Sequence, residues 1–137
     1  MVENFYFDTS IWIDFYEKRE ENGELAWKLI LKIIEEDIKI AYSDLNIKEL
    51  KNLGYTKSEI DAILRVAKPN NIIHIHIYPE NLEEARKLAR QRNVPNKDAL
   101  HAILSRDNDL QLISRDRHFE KLKDITNVKL PGVIEKL

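Results

Sequence analysis

Short apolar runs alternate along this chain with longer stretches of helical period, and the first of the runs ends on an acid. "ENFYFD" is one such run, as expected of a strand buried on both faces. "SIWIDFYEK" then starts a helix, and "GELAWKLILKIIEED" is a second, with Leu25, Leu29, Ile30, Ile33 and Ile34 on one stripe. "IKIAYS" predicts the next strand, ending at Ser43, whose hydroxyl can cap "DLNIKELKNL"; Gly54 ends that helix. "TKSEIDAILRVAK" opens with a capping box, Thr56 and Glu59, followed by Ile60, Ile63, Leu64 and Ala67 at helical spacing. "NIIHIHIY" alternates as a strand does, and Pro79 occupies a helix's first turn in "PENLEEARKLARQR". Another helix begins near Pro95 and Asn96. "LQLIS" predicts a strand, "RDRHFEKL" a turn and short helix, and "VKL" a final strand. Strands separated by helices predict an α/β fold around a mostly parallel sheet.

Composition narrows the setting. The chain has 137 residues, 43% hydrophobic and 34% charged, which suits one soluble globular domain spanning 1–137. Having no cysteine, it offers neither a disulfide nor a thiolate nucleophile. No apolar stretch approaches ~20 residues, and the start lacks a basic-then-apolar signal, so a cytoplasmic protein away from membranes is expected. The net charge of −2 is unevenly spread, with ten acids against five bases in residues 1–40 and nine against twelve in 81–137. The basic part fits either a polyanion-binding surface or a solvated helix face with i,i+4 pairs such as Glu83–Lys87.

The chemistry concentrates where the strands end. In open α/β sheets, ligands bind beyond the carboxyl ends of the strands, where the strand order reverses. Asp8 ends the first strand. Ser43 ends the second, with Glu49 in the helix that follows. Asp98 lies in the first turn of the helix near Pro95, and Asp116 follows "LQLIS". Taken singly, each has an ordinary structural reading as a cap, a dipole partner, a surface acid or a turn former. Taken together, four carboxylates at one sheet edge would repel unless a divalent cation held them, and an all-oxygen set suits Mg²⁺ or Mn²⁺. Such an ion can activate water against a phosphodiester.

The ordered set "FYFDTSIWIDF", "SDLNIKEL", "VPNKDALHAILS" and "LISRDRHF" resembles the PIN-domain family, particularly its small VapC-like ribonucleases. The resemblance implies a three-layer α/β/α sandwich with a sheet of about five strands, often paired as a homodimer. It also implies that Asp8, Glu49, Asp98 and Asp116 bind Mg²⁺ or Mn²⁺ and support cleavage of single-stranded RNA, with Glu49 either a ligand or orienting the attacking water. Thr9, Ser10 and Ser114 would hydrogen-bond the carboxylates or the phosphate, and Arg115 and Arg117 would guide the RNA backbone. A toxin of this kind needs a small antitoxin partner. The sequence departs from the family where many relatives carry another acid, since Arg117 and His118 stand there, and Ser114 replaces a common threonine.

A catalytically inactive binding or scaffold subunit on the same fold is the alternative. A phosphatase using Asp8 as nucleophile would place a second acid at position 10, which is Ser10. The remaining polar residues read as structure. His74 and His76 share a strand face, but two ligands do not close a metal site. His101 either orients Asp98 or is a satisfied core histidine. Asp14 is expected to cap or be solvated, and Asp107 and Asp109 to form a turn. Trp12 and Trp27 are expected in core or dimer contacts.

Overall fold

The computed structural model describes residues 4–66 and 69–132. Strand β1 is Phe5–Phe7, buried throughout, and Asp8 caps the helix that follows it, α1 (Thr9–Tyr16), accepting from the Thr9 N–H at 2.9 Å. Helix α2 covers Glu20–Glu35 and starts three residues before the predicted segment, its first turn carrying Glu20 and Glu21, which suit the helix dipole. Of its predicted stripe, Leu29, Ile30 and Ile33 are buried, while Leu25 and Ile34 are only partly so. β2 (Ile40–Ser43) leads into α3 (Asp44–Asn52), which starts in a reciprocal box: the Asn46 Oδ1 accepts the Ser43 N–H at 2.8 Å. Gly54 follows with φ 96°, where a side chain would be strained.

Helix α4 (Lys57–Leu64) has the Thr56–Glu59 box, and Ala67 lies outside the described residues. A 3₁₀ turn, Pro69–Asn71, precedes β3 (Ile72–Ile75). Then come α5 (Pro79–Arg92), α6 (Asn96–Asp107), β4 (Gln111–Ile113), a 3₁₀ segment Arg117–Leu122, and β5 (Val128–Lys129).

All strand pairs are parallel, in the order β3-β2-β1-β4-β5. The chain winds outward from β1 through β2 to β3, then returns to β1's other side for β4. The order therefore reverses at β1 and β4. Period-two alternation sends the strands' side chains to opposite faces. Phe5, Phe7, Ile40 and Ile113 pack with Ile11, Trp12, Leu29, Ile30, Ile33 and Ile63, the layer of α1, α2 and α4. Tyr6, Ala41 and Leu112 pack with Ala85, Leu88, Ile103 and Phe119 from α5, α6 and the 3₁₀ segment. The fold is thus the expected α/β/α sandwich. No helix among the described residues is long and apolar enough to cross a membrane.

One sequence-based expectation changes. Asp14 is neither cap nor solvated: it is fully buried and takes a two-pronged hydrogen bond from Arg115, Nε to Oδ2 at 2.7 Å and an Nη to Oδ1 at 2.9 Å. Helical spacing could not show this, because the partner comes from the loop after β4, about a hundred residues on. Trp12 is in the core, as expected, and Trp27 is 47% exposed and stacks on Phe15 at 5.7 Å.

Candidate active site

The predicted acids face one recess of ≈ 340 Å³ beyond the carboxyl ends of β1 and β4, lined by Asp8, Thr9, Ser10, Glu49, Lys97, Asp98, Arg115 and Asp116 among others. Each carboxylate has a different mount. Asp8 leaves a fully buried strand, and its Oδ2 accepts from Ser114 Oγ at 2.8 Å and, more weakly, from Ser10 Oγ at 3.4 Å. Ser114 also accepts the Asp116 N–H at 3.0 Å, so one hydroxyl ties two of the acid-bearing loops together. Thr9 Oγ1 donates to Glu49 Oε1 at 2.9 Å and accepts from Asn46 Nδ2 at 2.8 Å. The three hydroxyls therefore hold carboxylates.

His101 resolves the alternative left open by the sequence: it is a buried histidine with both ring nitrogens hydrogen-bonded, and the acid it orients is Glu49. It is fully buried, yet its Nε2 donates to Glu49 Oε1 at 2.6 Å rather than to Asp98. The same nitrogen is 3.6 Å from Asp8 Oδ1, and Nδ1 lies 2.6 Å from the Tyr6 hydroxyl. That hydroxyl is in turn 2.6 Å from Ser43 Oγ. A buried line from Ser43 through Tyr6 and His101 thus fixes Glu49. Burial alone would lower the His101 pKa, but the Glu49 bond and the charges of Asp8, Glu49 and Asp98 outweigh it and raise it. Burial would raise Glu49, yet the His101 bond and charge, the Thr9 hydroxyl and Lys97 bring it below its ordinary value. Burial also pushes Tyr6 well above its usual range.

Asp98 stands in contrast. It is 1% exposed, and burial together with the charges of Asp116 and Asp8 pushes its pKa up to about 6, despite the opposing pull of His101 and His118. The acids hold more negative charge than the neighbouring cations balance. That excess is what a divalent cation would neutralise. Oxygens remain for one: Glu49 Oε2 lies 4.0 Å from Lys97 Nζ, beyond hydrogen-bond range. Ligand atoms of Asp8, Glu49 and His101 lie within 4.8 Å of one another, as do those of Asp98, Asp116 and His118. The residues present fit a hard divalent cation.

The PIN-domain model matches residues 5–125, which takes in every residue of this recess. The chain belongs to the PIN-domain family. A search of curated protein sequences gives no match. Among solved structures, the chain is similar to VapBC2 from Rickettsia felis bound to a DNA fragment from its promoter (TM-score 0.70, 16% identity, covering 92% of this chain and 97% of that one). It is similar also to a toxin–antitoxin complex from Klebsiella pneumoniae (0.63, 20%, 93% and 98%) and to PAE2754 from Pyrobaculum aerophilum (0.62, 18%, 98% and 95%). At these identities the likeness is one of fold.

Within this PIN domain, two features escape sequence reasoning. His118 Nδ1 lies 3.0 Å from Asp98 Oδ2 and 2.9 Å from Asp116 Oδ1, so a histidine stands between two of the acids. The departure at position 118 was visible in the sequence, but its geometry was not. The Tyr6–His101 link was hidden because both residues also satisfy an apolar pattern. The two arginines separate. Arg115 lines the recess while its guanidinium is engaged with Asp14, and Arg117 is exposed and outside the lining.

Proposed function

We propose that this chain is a divalent-metal-dependent endoribonuclease that hydrolyses phosphodiester bonds of single-stranded RNA, using Mg²⁺ or Mn²⁺. The observation that carries the reading is the meeting of four carboxylates, from four separated segments, at one recess where burial and the charges of Asp116 and Asp8 raise the Asp98 pKa. Membership of the PIN-domain family supports it. Asp8, Asp98 and Asp116 would hold the cation, which when bound supplies positive charge for the phosphate and acidifies water. Glu49, fixed through one oxygen by His101 and Thr9, would use its other oxygen to orient the attacking water or as a ligand. Ser10, Thr9 and Ser114 keep the carboxylates in place, and Lys97 at the rim offers a cation to the RNA backbone, with Arg115 and the exposed Arg117 flanking it.

The biological reading is the toxin of a toxin–antitoxin pair. Supporting this are the fold neighbours, two of which are described as VapBC2 and as a toxin–antitoxin complex. It comprises one nuclease domain over 1–137, a small antitoxin partner, a homodimer and a cytoplasmic location, the last in keeping with the lack of cysteine.

The test is incubation with single-stranded RNA, with and without Mn²⁺, beside Asp8→Asn. Cleavage by the unaltered protein only with metal, and none by the variant, is expected. Equal cleavage by both removes the carboxylate mechanism; no cleavage by a protein that binds Mn²⁺ favours the scaffold subunit.

A further inference from the structure

A second group of ligand-type side chains lies on the sheet's edge and shares no residue with the acid recess. β2 and β3 pair with Tyr42 opposite His74 and Ser43 opposite Ile75. One step further, alternation brings Asp44, the first residue of α3, to the same face as His74 and His76. His74 Nε2 is 2.6 Å from Asp44 Oδ1, and the two imidazole centroids are 4.6 Å apart. One ligand atom from each of the three residues falls within 4.8 Å of the others. Two histidines alone do not close a site; the structure supplies a third ligand from another element.

Ordinary causes explain only part of this. An acid at position 44 suits the start of α3 through the helix dipole, and one histidine beside it would make an exposed ion pair. Neither accounts for the second imidazole, set against the first just past the end of β3, where a charged or solvated side chain would serve equally. His74 is moreover held from behind: it stacks on Tyr42 with ring centroids 4.7 Å apart and planes 11° from parallel. A ring fixed by stacking loses less freedom on ligating.

We propose that Asp44, His74 and His76 form a surface binding site for a borderline transition-metal ion, Zn²⁺ in the first instance. Two imidazoles and one carboxylate are the donor set of open zinc sites, with a fourth position left to water or an incoming ligand. Hard Mg²⁺ prefers oxygen, so the ions sort by chemistry: Mg²⁺ or Mn²⁺ in the carboxylate recess, Zn²⁺ at the edge. The proposal does not rest on nuclease activity.

The test is Zn²⁺ titration of the metal-stripped full chain by calorimetry, paired with NMR of the imidazole rings. With four histidines in the sequence, each ring can be followed separately. Three proteins are compared: unaltered, H74A/H76A, and D8N/D98N, which disables the recess. The expected result is that His74 and His76 shift together at sub-stoichiometric Zn²⁺. D8N/D98N then keeps this binding, while H74A/H76A loses about one equivalent. Both histidines are exposed, so their removal should leave the circular dichroism unchanged. Shifts confined to His101 and His118, or unaltered Zn²⁺ stoichiometry in a folded H74A/H76A protein, would overturn the proposal.

Discussion

Asp98 shows how a single side chain's charge couples site to stability. Its pKa moves from 3.8 to about 6 on folding, so the folded chain holds that proton more tightly than the unfolded one. The folded state then binds more protons between those values, and its stability falls as pH rises through that window. Below about pH 4 the carboxyl is neutral in both states and the cost is absent; above about 6 the cost is complete. Asp98→Asn keeps the shape and removes the charge. In chelator at pH 8, urea unfolding should show the variant more stable by about 2 kcal/mol, with the gap closing at pH 4. Equal midpoints at pH 8 would mean that the acids do not strain one another. The sequence placed Asp98 correctly, in a helix's first turn at the end of a strand–helix unit. It could not show the charge imbalance, because that depends on distances to Asp8 and Asp116 across the fold.

At the scale of elements, the mount of the site depends on α1 and α2 meeting closely. Gly23 sits in α2 where an added Cβ would lie 2.8 Å from the Asp14 carbonyl oxygen and 2.8 Å from the Lys18 carbonyl carbon. Both are backbone atoms and cannot swing away. The connecting turn is already committed, with Lys18 and Glu20 at positive φ and the Gly23 N–H donating to Arg19 O at 3.0 Å. Replacing a helical glycine by alanine ordinarily stabilises by roughly 0.5–1 kcal/mol. Here the sign reverses: Gly23→Ala should cost about 1–3 kcal/mol, read as a lower urea midpoint. A raised midpoint would show that the two helices can separate freely. Elements themselves were largely legible, since β1 is a continuous apolar run, β2 and β4 are mostly apolar, and the Thr56–Glu59, Pro79 and Gly54 signals are local chemistry. Glycine 23 read only as an early residue of a helix, because its neighbours belong to another element. Asp14 escaped for the same reason, its guanidinium partner being Arg115, about a hundred residues on.

The whole molecule brings the acids together. Asp8 follows β1, Glu49 lies in the helix after β2, Asp98 opens α6, and Asp116 follows β4; only the 3-2-1-4-5 strand order places these ends side by side. That convergence was readable from an alternating strand–helix pattern, because parallel strands with right-handed crossovers leave few arrangements. The hydrogen-bonded line behind Glu49 was not, since Ser43, Tyr6 and His101 come from three elements. An unfolded chain scatters the four carboxylates, so metal affinity for the assembled recess adds directly to folding stability. Mn²⁺ at a hundredfold excess over its dissociation constant should stabilise the chain by about 2.7 kcal/mol. Asp8→Asn should lose most of that gain, because it removes a carboxylate held between Ser114 and Thr9 at the centre of the recess. Thermal unfolding of both proteins, with Mn²⁺ and with chelator, measures the difference. The same metal-induced rise in both would place the bound ion elsewhere on the molecule, and the meeting of the acids would then need another cause.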